Sequence, residues 1–129
     1  MKEKHYSDLG ETLYSEKLSN GLRVYLLPKE GFHKTYAVMT TDYGSIDQSF
    51  VPLNGTAPVT QPAGIAHFLE HKMFEKADHD AFDTFAHFGG SSNAFTSYTH
   101  TSYLFSATHH LKENLETLLD FVQDPYFTE

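Results

Sequence analysis

Residues 67–71 of the sequence, HFLEH, combine two histidines and a glutamate at a spacing that suits metal chemistry. On a helix, His67 and His71 lie about 40° apart, so both imidazoles can reach one tetrahedral ion. Glu70 is close enough to contact a water molecule on such an ion without binding the ion itself. The pattern therefore predicts a zinc site, His67 and His71 being ligands and Glu70 the general base for hydrolysis.

The glutamate makes this pattern informative. With 9 His in 129 residues, a pair four residues apart is expected by chance about 0.6 times, and requiring the glutamate lowers the expectation to about 0.04. The alternative is a solvated helix face, because His and Glu are ordinary surface residues. The chain has no Cys, so any metal must be bound by His and carboxylate groups. The histidines expected to have no function are His79, His87, His100, His109 and His110.

The residues of this motif are expected on a helix with one apolar face. Helical spacing begins near Ala63 and continues to about Lys76. The apolar side chains that share one arc are Ile65, Ala66, Leu69 and Met73. At 100° per residue, His67, Glu70 and His71 fall on the opposite side of the helix from these apolar side chains, so we expect them to face open space.

Two further helices are predicted after this one. The second begins after Asp78 as its N-cap and ends at Gly89-Gly90, and the third covers about residues 109–123. The side chains that these two helices would bury are Ala81, Phe82, Phe85, Phe88, Leu111, Leu115, Leu118, Leu119 and Val122.

Strand patterns occur before and after the first two helices. Residues 12–27 flank Asn20-Gly21, which is typical of a β-hairpin with a type I′ turn. Residues 35–43 suit a strand, residues 49–62 a surface loop, and residues 91–107 one long strand or two joined by a hairpin. This order predicts an α+β fold in which an antiparallel or mixed β-sheet carries helices on one face.

Composition restricts the class of protein. The chain has 9 Lys+Arg and 17 Asp+Glu and no basic run, so nucleic acid is not an expected partner. No apolar run has the length of a membrane span and the start of the chain lacks the apolar centre of a signal peptide, so we expect no membrane partner and a cytoplasmic location. The length suits one domain at most.

Two segments match the motifs of one known family. HFLEH, between GIA and KMFE, is similar to the inverted zinc motif H-x-x-E-H, and residues 89–107 read GGSSNAFTSYTHTSYLFSA. The second segment resembles the Asn-Ala-x-Thr strand and hairpin return of the same family, the insulinase and pitrilysin zinc metallopeptidases. The hairpin of residues 18–27 and the turn of residues 44–47 also fit, so the resemblance covers essentially the whole chain.

The resemblance implies a zinc endopeptidase that hydrolyses peptides or small unfolded polypeptides. His67 and His71 would be zinc ligands and Glu70 the general base. The residues that would form an edge strand for an extended substrate are Asn93, Ala94, Phe95 and Thr96. From the residues alone, Asn93 is instead a polar residue at a strand end.

The resemblance also implies a ligand that this chain does not contain. The third zinc ligand in the family is a Glu roughly 70 to 80 residues after the second His, which lies past Glu129. Glu113 and Glu116 come too early and are expected to be surface charges. We therefore expect the chain to be the amino-terminal part of a single insulinase-like domain, incomplete at its carboxyl end and inactive by itself.

Two other functions stay open. One is a non-catalytic insulinase-like subunit that assists an active partner, against which the complete HxxEH motif argues. The other is a peptide-binding scaffold that uses only residues 93–96. A partner subunit of the same family and a homodimer are both compatible with the sequence.

Overall fold

The computed structural model describes residues 1–128 and contains two compact units, Met1–His33 and Lys34–Glu129. The first unit is an antiparallel sheet of β1 (Lys2–Tyr6), β2 (Glu11–Lys17) and β3 (Arg23–Leu26), in that order. Strand β1 is not predictable from the sequence pattern, because every one of its residues is exposed and no apolar alternation marks it. That the chain is part of a single domain stays a prediction.

The β2–β3 hairpin is present, but its turn is not the predicted type I′ turn. Its loop is closed by the Leu18 N–H, which donates to the Leu22 carbonyl at 2.8 Å. Gly21 has a φ of 93°, whereas Asn20 does not have a positive φ, and a type I′ turn requires one at both central residues. The Asn20 side chain instead accepts a hydrogen bond from the Leu22 N–H at 3.0 Å.

The second unit is an antiparallel sheet with helices on one face, which confirms the predicted α+β class. The sheet contains β4 (Thr35–Thr41), β8 (Thr101–Ala107) and β7 (Ser91–Thr96), in that order. The helices are α1 (Ile65–Phe74), α2 (Ala81–His87) and α3 (Leu111–Gln123). The predicted loop of residues 49–62 contains the short antiparallel strands β5 (Ser49–Phe50) and β6 (Val59–Thr60).

The core of this unit lies between the helices and the sheet. The central strand β8 turns Tyr103, Phe105 and Ala107 toward the helices, as period-two alternation requires. The helical side chains in the same cluster are Phe74, Ala81, Phe85, Leu118 and Phe121. On the opposite face of β4, Tyr36 and Val38 are exposed.

The second helix begins later than predicted. Asp80, not Asp78, is its N-cap, and its side chain accepts a hydrogen bond from the Phe82 N–H at 2.9 Å. Asp78 instead pairs with the imidazole of His79. Phe82, which was expected to be buried, is exposed, although its ring stacks on that of Phe74.

The third helix buries a narrower face than its leucines suggest. Its buried residues are Asn114, Leu118 and Phe121, whereas Leu111 and Leu115 are exposed. A single helix packed on a sheet buries only the stripe that meets the sheet, and here Phe121 and Asn114 define that stripe. Within residues 1–128, no helix is both long and apolar enough to cross a membrane.

Candidate metal centre

Helix α1 carries the three residues of the HFLEH motif. The chain enters this helix through Gly64, whose φ of 88° favours glycine, and the Phe68 N–H donates to the Gly64 carbonyl at 3.0 Å. The helix continues to Phe74, so residues 67–71 lie in its middle, where the backbone geometry is regular. A regular helix is what the predicted spacing of the two histidines requires.

The structure brings His67 and His71 together on the exposed side of α1. Their Nε2 atoms are 3.0 Å apart and their ring centroids 4.7 Å apart. Two imidazole nitrogens bound to one tetrahedral zinc ion lie about 3.3 Å apart, so the pair needs only a small adjustment to hold the ion. Within residues 1–128, no third His, Cys, Asp or Glu completes a group of three potential ligands.

Glu70 does not face open space as predicted. Its exposed fraction is 7%, and it lies in the buried stripe of α1 between Ala66 and Phe74. The packed stripe of α1 repeats every four residues, and the other side chains of the predicted apolar arc are only half-buried. Its carboxylate Oε2 accepts a hydrogen bond from the Thr96 hydroxyl at 2.7 Å.

The second carboxylate oxygen is unengaged. Among residues 1–128, no hydrogen-bond donor contacts Glu70 Oε1, and this oxygen retains some exposure to solvent. A buried carboxylate with one oxygen fixed and the other accessible can take a proton at a defined atom.

Tyr103 lies close enough to Glu70 to respond to its charge. Burial raises the pKa of the Tyr103 phenol to about 12, and the negative charge of Glu70 contributes to the same shift. The sequence analysis did not single out Tyr103, although alternation along β8 would have placed it on the core face with Phe105.

The residues expected to bind substrate lie on β7, an edge strand of the sheet β4–β8–β7. They alternate between its two faces: Ala94 and Thr96 are half-buried on the side of the helices, whereas Asn93 and Phe95 are exposed. Asn93 Oδ1 accepts a hydrogen bond from the Ala94 N–H at 2.9 Å. The structure thus places Thr96 at the motif of α1 and does not place the Asn93 side chain there.

The far end of β7 is held by the turn of residues 44–47. The Ser45 N–H donates to the Ser97 carbonyl at 2.9 Å and the Ile46 N–H to the Tyr98 carbonyl at 3.1 Å. Gly44 makes this approach possible, since a Cβ there would lie 2.3 Å from the Tyr98 carbonyl oxygen.

The two glutamates of α3 lie beside basic side chains on its surface. Glu113 lies 3.8 Å from the imidazole of His110, and Glu116 lies 3.7 Å from the Lys112 ammonium. These partners agree with the expectation that both glutamates are surface charges.

Comparisons of the sequence with known proteins agree on one family. The sequence profile of "Insulinase (Peptidase family M16)" matches residues 59–129, which include α1, α2, β7, β8 and α3. A Bacillus subtilis (strain 168) protein named zinc protease YmfH is 65% identical over 129 residues, which are 100% of this chain and 30% of that protein. Human insulin-degrading enzyme is 32% identical over 119 residues, which are 88% of this chain and 11% of the enzyme.

Solved structures agree with the sequence matches. An M16-like protein from Alicyclobacillus acidocaldarius superposes with a TM-score of 0.83 at 45% identity, covering 92% of this chain and 27% of that one. A protease from Helicobacter pylori superposes with a TM-score of 0.73 at 27% identity, covering 91% of this chain and 27% of that one. The chain thus spans less than a third of the length of each of these relatives.

Proposed function

Because the chain belongs to the insulinase family, peptidase family M16, we propose that it carries part of the active site of a zinc endopeptidase. The observation that supports this proposal most directly is the convergence of the His67 and His71 Nε2 atoms, 3.0 Å apart, beside the buried Glu70. Relatives named as zinc proteases support a metallopeptidase in general. Two histidine imidazoles and one carboxylate are a typical ligand set of catalytic zinc; the carboxylate meant here is the third ligand discussed below, not Glu70.

Each residue of the motif has a distinct role in this proposal. His67 and His71 hold the ion through Nε2. When bound, zinc acts as a Lewis acid on a peptide carbonyl and lowers the pKa of water to about 7. Glu70 takes a proton from the attacking water at Oε1 and then passes it to the departing amine, while its Oε2 is fixed by Thr96.

A third protein ligand is part of the proposal. Catalytic zinc sites have three protein ligands, and residues 1–128 bring together only two candidates. We infer that a glutamate beyond Glu129 supplies the third, as the family resemblance implies. On this basis the chain of 129 residues by itself binds zinc weakly and does not turn over substrate.

The proposed substrate is an extended peptide or a small unfolded polypeptide. Strand β7 is an edge strand beside α1, and a peptide that adds to such an edge is held mainly by backbone hydrogen bonds. Pairing with Ala94 would replace the local contact between its N–H and Asn93 Oδ1. Backbone recognition of this kind favours unfolded segments over folded domains.

The test is Glu70→Gln in the longest natural chain that contains these residues, assayed with an internally quenched peptide. We expect zinc content, measured by elemental analysis, to be retained and hydrolysis to fall by about a hundredfold or more, because the amide cannot accept the proton. Glu113→Gln is the matched control, since among residues 1–128 the carboxylate of this surface glutamate contacts His110 alone.

Undiminished hydrolysis by Glu70→Gln would overturn the mechanism. Wild-type protein that binds no zinc and cleaves no peptide would instead favour the non-catalytic partner subunit. Peptide binding that persists in the presence of a chelator, without cleavage, would favour the scaffold.

A further inference from the structure

We propose that Thr96 is a positioning residue for Glu70, its hydroxyl holding the carboxylate in the orientation that proton transfer needs. This inference rests on the proposed function of Glu70. It also changes the expected role of Thr96, whose side chain would act on the general base and not on the substrate.

The direction of the Thr96 side chain supports this role. Thr96 is half-buried on the helix side of β7, and its hydroxyl donates to Glu70 Oε2 at 2.7 Å across 26 positions of sequence. A charge-assisted hydrogen bond of this length between two partly buried groups is strong. It leaves Oε1 as the carboxylate oxygen without a donor among residues 1–128.

The position of Thr96 is fixed by contacts on both sides of it. In the sheet it is opposite Thr101, whose buried hydroxyl donates to the Tyr43 carbonyl at 2.7 Å. The next residue, Ser97, donates its N–H to the His100 carbonyl at 2.8 Å and accepts from the Ser45 N–H. A hydroxyl on backbone this constrained can hold a carboxylate with little loss of conformational entropy.

Thr96 therefore belongs to two parts of the site. Its backbone is the end of the edge strand that would pair with a peptide, and its side chain is bonded to the general base. The hydrogen bond thus joins the edge strand to the carboxylate of Glu70.

The experiment compares four single variants and one double variant of the longest natural chain, using an internally quenched peptide that the wild type cleaves. Thr96→Val keeps the shape and removes the donor, and Thr96→Ser keeps the donor. Thr40→Val is the matched control, because it removes another hydroxyl contact in the same sheet, 2.8 Å to Ser102 Oγ, away from Glu70. Glu70→Gln reports on the proposed function itself.

For Thr96→Val we expect kcat to fall roughly tenfold to a hundredfold, the range for a lost hydrogen bond to a charged group, with KM changed less than about threefold. Thr96→Ser should recover most of this loss, and Thr40→Val should behave as wild type. Zinc content and melting temperature, measured on each variant, should follow the wild type. In the Glu70→Gln background, Thr96→Val should have no further effect on kcat.

The outcomes separate this inference from the proposed function. If Glu70→Gln hydrolyses normally, the proposed function fails, whatever Thr96 does. If Glu70→Gln is inactive while Thr96→Val keeps a normal kcat, or changes only KM, Thr96 does not position the base and this inference alone is overturned. A loss of kcat in Thr96→Val that serine does not recover would overturn it as well.

Discussion

At the scale of single residues, the motif divides one helix between two environments. His67 and His71 are exposed, where a metal ion can reach their imidazole nitrogens, whereas Glu70 is buried beside Thr96. A base held in the interior has a defined position, and ligands held at the surface can be loaded from solvent. Which arc of the helix packs on the sheet is set by the fold, since on a regular helix Glu70 is about 60° from His67 and about 100° from His71.

Replacing either ligand should remove zinc. We expect His67→Ala and His71→Ala, each in the longest natural chain, to raise the zinc dissociation constant by about a hundredfold or more, since even a lost outer contact costs ten- to a hundredfold. His87→Ala is the control, being an exposed histidine on α2. Competition with a chromophoric chelator measures the effect, and equal affinities in all three variants would contradict the assignment.

Tyr103 should make the protein sensitive to alkali. Its pKa is raised to about 12 in the folded state, first by burial and then by Glu70, whereas an unfolded tyrosine ionises near pH 10. Between these values the unfolded state binds fewer protons, so the free energy of unfolding falls as pH rises from 10 to 12. Below pH 10 the contribution is constant.

Tyr103→Phe should lack this part of the pH dependence, because the phenol is absent. Urea unfolding at pH 8, 10 and 11 would measure it, and Tyr98→Phe, which removes a phenol from an exposed position, is the control. A fall in stability above pH 10 that is the same in wild type and Tyr103→Phe would contradict the prediction.

At the scale of elements, the packing of α2, β7 and α3 against one another depends on the close contact between Gly90 and Asn114. Asn114 is fully buried, and its Nδ2 donates to the His110 carbonyl at 2.9 Å and to the Phe88 carbonyl at 3.2 Å. Gly90, the residue before β7, lies against the Asn114 side chain, so that a Cβ on Gly90 would be 2.1 Å from Asn114 Oδ1. Among residues 1–128 this oxygen accepts no hydrogen bond, which leaves the steric contact as its main interaction.

Gly90→Ala should therefore destabilise the protein by about 1 to 3 kcal/mol, as overpacking of a well-filled site does. Asn114→Ala should also destabilise it, by about 1 to 3 kcal/mol, because two carbonyls lose a donor. The double variant should be less destabilised than the sum, since the smaller side chain makes room for the new Cβ. Thermal unfolding measures all three, and strict additivity would contradict the contact.

The elements also show what sequence patterns can and cannot predict. Sequence patterns predicted α1, β4 and strand structure in residues 91–107, but left open whether the last segment is one strand or the hairpin of β7 and β8. They missed β1, which is exposed throughout, and misjudged Leu111 and Leu115, because which stripe of α3 meets the sheet depends on packing. The same holds in the site: spacing paired the two histidines, but only the fold brings Thr96 to Glu70 across 26 positions.

At the scale of the whole molecule, the chain spans less than a third of the length of its relatives. It covers 30% of the Bacillus subtilis relative and 27% of the Alicyclobacillus protein, and the family profile matches it from residue 59 to residue 129. Residues 1–128 bring together two candidate zinc ligands, a candidate general base and an edge strand. In the proposed function, the third ligand comes from outside these residues.

Zinc affinity should consequently depend on the length of chain that is measured. We expect the 129-residue chain to bind zinc weakly through two imidazoles, and a natural chain longer by roughly 100 residues to bind it one to one and at least about a hundredfold more tightly, because a third ligand completes the site. Elemental analysis after dialysis, with and without a chelator, measures both. Equal tight binding by both lengths would place the whole site within these residues and remove the need for a distant glutamate, whereas no binding by either would remove the metal from the proposal.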